Sequence, residues 1–64
     1  MVSYKINDYD GVTVFQTYKH PLPAVRRMAK TLADKFDEEM TIINTRTDNL
    51  VRIVRPTAWN MRDI

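Results

Sequence analysis

With 64 residues, no cysteine and a single glycine, the chain is one small domain without a disulfide framework or a thiolate metal site. Ten Lys and Arg against eight Asp and Glu leave a net charge of +2, too mild to define a partner by its sum. No apolar run approaches the roughly 20 residues that span a bilayer, and the early Lys5 and Asp8 do not fit a signal peptide. A cytoplasmic setting is therefore expected, since a cysteine-free chain suits a reducing compartment.

The first strand spans about 2–7. Val2, Tyr4 and Ile6 alternate with Ser3, Lys5 and Asn7, the pattern of a half-buried strand. Asp8-Tyr9-Asp10-Gly11 signals a turn, with Tyr9-Asp10-Gly11 as the loop and Gly11 at positive φ. That loop pairs Ile6 with Val14, Tyr4 with Gln16 and Val2 with Tyr18, all on the core side. Only Gln16 is out of place.

The second strand, about 12–19, stops at His20-Pro21-Leu22-Pro23. Each proline drives the residue before it out of the α region, so the helix is expected over about 23–38, with Leu22 at the cap position. No Ser, Thr, Asp or Asn stands there to hold the first-turn amides. Val25, Met28, Ala29, Leu32 and Phe36 recur at steps of three and four and form one apolar stripe. The charges run against the helix dipole: Arg26, Arg27 and Lys30 near the positive end, Asp37, Glu38 and Glu39 near the negative one.

A second hairpin follows, with strands at about 40–46 and 50–55 and Thr47-Asp48-Asn49 as its loop, Asn49 in the left-handed position. In this register Ile43 faces Ile53 and Thr45 faces Val51 on the core side, while Arg46 and Arg52 point away. Pro56 ends the last strand. The tail, 57–64, has the composition of one helical turn and carries Trp59.

The expected architecture is α+β, ββαββ: a four-stranded, mostly antiparallel sheet with one helix on one face and a short C-terminal tail. Strand order 2-1-3-4 satisfies a right-handed crossover from the second strand to the third. One helix leaves the reverse face open, and Phe15, Ile42, Leu50 and Val54 are expected there. That face is too apolar to be idle. The tail, a second copy or a partner is expected to cover it.

Three groups of residues carry functional readings. Lys19, His20, Arg26, Arg27 and Lys30 surround the uncapped helix start, where amides, dipole and cations suit a phosphate. Arg46 and Arg52 beside Phe15 resemble the sheet surfaces that stack bases and hold phosphates. Trp59, Met61 and Arg62 have the composition of an interface anchor. The run Asp37-Glu38-Glu39 reads as a solvated patch neutralised by Arg55, not a catalytic pair. One histidine and no cysteine offer neither a nucleophile pair nor a nitrogen–sulfur metal site, so neither enzyme activity nor a metal or cofactor is expected.

In its size, its lack of cysteine and its charge-rich surface, the chain resembles the small accessory proteins with which bacteriophages bind and redirect host enzymes. That resemblance rests on no motif. It implies an inhibitor or modulator of a protein partner. The excess apolar surface on a domain without catalytic groups separately points to a protein-binding module or a homodimer, with Trp59, Met61, Arg62, Arg46, Arg52 and Phe15 as the candidate contacts. The alternative is a nucleic-acid-binding protein using the arginine-bearing sheet face or the basic helix start.

Overall fold

The two hairpins and the helix form as the alternation and periodicity imply. In the computed structural model, which describes residues 3–62 with side chains through Trp59, the elements follow the order ββαββ. They are β1 (Tyr4–Asn7), β2 (Thr13–Thr17), α1 (Leu22–Phe36), β3 (Met40–Asn44), β4 (Asn49–Val54) and α2 (Thr57–Arg62). The sheet order is β2-β1-β3-β4, and each neighbouring pair is antiparallel. No helix of the described residues is long and apolar enough to cross a membrane.

Asp8 builds the first turn. Its Oδ1 accepts hydrogen bonds from the backbone N–H of Asp10 and of Val12, at 3.0 and 2.9 Å. Gly11 sits at φ 85°, where the missing Cβ is what allows the chain to close. The loop is thus the expected one, and Asn7 pairs with Thr13 as it requires. The next pair, however, is Ile6 with Phe15, so Val14 is an extra residue in a β-bulge. The expected pairing of Ile6 with Val14 and Tyr4 with Gln16 is therefore corrected. Beyond the bulge every β2 side chain changes face. Phe15 and Thr17 turn toward the helix and Gln16 turns to solvent, which removes the polar residue that the bulge-free register would have buried.

The second hairpin slips as well. Residues 45–48 form its turn, and Asp48, not Asn49, takes the left-handed conformation at φ 58°. Asn44 pairs with Asn49, then Ile43 with Leu50, and Ile42 with Arg52, leaving Val51 as a second bulge. Met40, Ile42 and Val54 consequently face the core, and Ile43 faces out, contrary to the expected register. The physical reason lies in β3 itself: its even positions carry Met40 and Ile42, whereas its odd positions alternate Ile43 with threonines, so burying the even set removes more apolar surface from water. Arg52 moves to the helix side for the same reason.

The core consists of Tyr4, Ile6, Val25, Ala29, Ala33, Met40, Ile42 and Val54, with Phe15, Leu22, Met28 and Leu32 packed around it. Along α1 the innermost line is Val25, Ala29 and Ala33 at steps of four, and the alanines let the helix approach the sheet closely. Phe36, expected in the stripe, is 51% exposed, because the helix ends there. Asp37 takes the left-handed conformation at φ 55° and its N–H bonds the Ala33 carbonyl, which stops the helix one residue short of Asp37 and two short of Glu38.

As far as its described residues go, the tail does not cover the reverse face. Through Trp59 it packs beside the end of α1: Asp34 accepts the Thr57 backbone N–H at 2.7 Å, and Asp37 accepts the Trp59 indole N–H at 2.8 Å. The open face is left with Lys5, Asn7, Gln16, Thr41, Ile43, Leu50 and Ile53, by the strand registers.

Candidate anion-binding cleft

A helix laid on a four-stranded sheet is too narrow to cover both edges. Along the β4 edge, α1 and β4 leave a cleft of about 560 Å³ between them. The helix wall is Pro23, Arg26, Arg27 and Lys30, at positions i, i+3, i+4 and i+7, which is one side of an α-helix. The strand wall is Arg52, Ile53, Val54 and Arg55. Five of these eight residues are cations and none is an acid, so the lining carries one sign of charge.

The five cations differ in how they are held. Lys30 Nζ donates to the Arg55 carbonyl oxygen at 2.9 Å, tying the helix to the end of β4. Arg55 Nε pairs with Glu39 Oε2 at 2.8 Å, which realises the expected neutralisation of the acidic run. Arg26, Arg27 and Arg52 are exposed, and among the described residues no hydrogen bond or ion pair holds their side chains. Three guanidinium groups on two facing walls, each with planar forked donors, form a set that suits the oxygens of phosphate.

Backbone amides add little. Pro21 and Pro23 have no N–H, and the Ala24 and Val25 amides both bond the Pro21 carbonyl, at 3.0 and 3.1 Å. The expectation of a helix start rich in unsatisfied amides is thereby corrected: two prolines have removed the donors, and the positive character comes from side chains.

The structure divides the residues expected to act together. Lys19 and His20 follow β2, at the sheet edge opposite β4, and so stand apart from Arg26, Arg27 and Lys30. His20 Nδ1 shares a hydrogen bond with the Thr17 hydroxyl, and its ring meets Phe15 edge-on with centroids 6.3 Å apart. Phe15, expected on the open face with Arg46 and Arg52, lies on the helix side because of the Val14 bulge. Arg46 sits in the β3–β4 turn, its backbone N–H bonded to Asn44 Oδ1 at 2.9 Å. Trp59 lines a separate hollow with Tyr9, Asp10, Glu38 and Glu39. The side chains of Met61 and Arg62 lie outside the described residues. Among the described residues no three His, Cys, Asp or Glu side chains are grouped to hold a metal ion.

Sequence reasoning found the helix half of the cleft and missed its strand half. The i, i+1, i+4 spacing of Arg26, Arg27 and Lys30 is visible in the sequence, but joining Arg52 to them needs the β4 register. Comparison with known proteins finds no matching family model, curated protein or solved structure.

Proposed function

We propose that the chain is a small non-enzymatic binding module that takes a phosphate-bearing polymer, a nucleic acid, into the cleft between α1 and β4. One observation carries this reading: Arg26, Arg27, Lys30, Arg52 and Arg55 converge on a single concavity whose lining contains no carboxylate. A cleft of one sign concentrates counter-ions and speeds the approach of an oppositely charged ligand. The cytoplasmic setting that suits a cysteine-free chain is also where nucleic acid is at hand. Such binding is dominated by counter-ion release, so its affinity falls as a power of salt concentration.

The test is a fluorescence-anisotropy titration with a labelled DNA duplex at salt concentrations from ~50 to ~200 mM. With three or four phosphates neutralised, affinity drops between roughly 40-fold and 150-fold across that range. Absence of binding at the lowest salt would sink the reading.

The open sheet face favours a second reading, self-association. Leu50 and Ile53 are 58% and 46% exposed there, beside Ile43. A second copy is the occupant in this reading. Sedimentation equilibrium at high micromolar concentration decides it, a dimer supporting the reading and a strict monomer removing it.

A further inference from the structure

Resting on the reading of the cleft as a nucleic-acid site, we infer that its occupant is the sugar–phosphate backbone of a duplex, held without base readout. Three features of the cleft carry this.

The first is its shape. Base edges in a duplex lie at the floor of a groove about 8.5 Å deep on the major side, and reading them takes a projecting helix or ribbon. The cationic site here is the reverse, a hollow between two elements. A hollow receives a ridge, and the ridges of a duplex are its phosphate backbones.

The second is what the walls lack. Single strands are held largely by stacking bases on aromatic rings. No aromatic residue is among the eight lining the cleft. Phe15 is engaged with His20 beside β2, Tyr4 is in the core, and the Trp59 indole is bonded to Asp37; Tyr9, Tyr18 and Phe36 are exposed but none of them lines the cleft. Nor does the lining carry Asn, Gln, Asp or Glu, which pair with the edges of adenine and cytosine.

The third is charge density. A duplex presents one phosphate charge per about 1.7 Å of axis, and its neutralisation releases more counter-ion per contact than that of a single strand. A cationic hollow gains from that difference, and its arginines, which pair with guanine edges when they project into a groove, are set back in the cleft. The cleft therefore favours duplex over single strand and is indifferent to sequence, a positioning contact in place of a reading one.

The experiment compares labelled duplexes of about 12 base pairs, a little over one helical turn, with single strands of the same length, all against the intact chain. Two duplexes of unrelated sequence should bind within about twofold of each other, and each several-fold tighter than either single strand. Replacing Arg27 and Arg52 together by Gln should lower the log–log salt slope by about 2 for both duplexes equally. Both positions are exposed, and far-UV circular dichroism verifies that the variant is folded. A tenfold preference between the duplexes, or single strands bound as tightly as duplexes, overturns the inference while leaving the cleft as the site. If no oligonucleotide binds, the underlying reading fails and the inference with it.

Discussion

Along α1 and the link that follows it, two stretches of charge are both set against the helix dipole, yet the chain treats them differently. At the far end each acid has an internal use. Asp34 accepts from the Thr57 backbone and hydroxyl, Asp37 from the Trp59 indole, Glu38 from the Tyr9 backbone, and Glu39 from Arg55. These bonds fasten α2, the β1–β2 loop and the end of β4 to one place. An acid near a helix C-terminus costs a few tenths to about 1 kcal/mol when exposed, and a hydrogen bond to a charged group returns more than that. At the near end Arg26 and Arg27 stand by the positive end of the dipole, and among the described residues nothing offsets them. Adverse charge with an internal partner is explained by the fold. Adverse charge without one calls for a partner outside it.

The contrast is broken most forcefully by removing the near-end charges together. Arg26, Arg27 and Arg52 all changed to Gln should weaken duplex binding roughly 100-fold or more at ~50 mM salt, with thermal stability unchanged or slightly raised. A large loss of stability would mean that these arginines serve the fold. At the far end the expectation reverses. Asp34→Ala removes two hydrogen bonds to Thr57 and should cost about 1 kcal/mol, discounted for its exposure, read as a lower midpoint in urea. Its duplex affinity should not fall. The smallest effect sharpens the comparison best: Arg27→Gln alone should stabilise the fold by a few tenths of a kcal/mol at low salt, a gain that fades as salt screens the dipole. Differential scanning calorimetry at two ionic strengths resolves it, and a destabilised variant would show that Arg27 has an internal role after all.

Much of the fold was legible because existence and type of an element depend on period, and period is local. Val25, Met28, Ala29 and Leu32 announced the helix, and the alternation around Ile6 announced β1. The Asp8–Gly11 turn follows from two residue types with known backbone habits. The registers were less legible. A single extra residue at Val14 or Val51 moves all that follows to the opposite face, and no residue type demands a bulge. One sign was present: Gln16 stood on the wrong side of an otherwise consistent pattern, and the bulge is what relieves it. The second hairpin turned on whether Asn44 or Arg46 closes the loop, with Asp48 and Asn49 both able to adopt the left-handed conformation. The candidate site inherited that ambiguity. Arg26, Arg27 and Lys30 share a helix side in any register, whereas Arg52 meets them only when Ile42 faces the core. The expected grouping of Arg46, Arg52 and Phe15 fails for three separate reasons: the Val14 bulge turns Phe15, the burial of Ile42 turns Arg52, and the longer turn takes Arg46 out of the strand.

The most direct measurement is a two-dimensional amide NMR titration of the isotope-labelled chain with a short DNA duplex. Shifts should concentrate at residues 24–30 and 52–55, the two walls of the cleft, and shrink together as salt is raised. Shifts centred on Ile43, Leu50 and the outward side of the sheet, or an unmoved spectrum at low salt, would contradict the assignment of the cleft as the binding site.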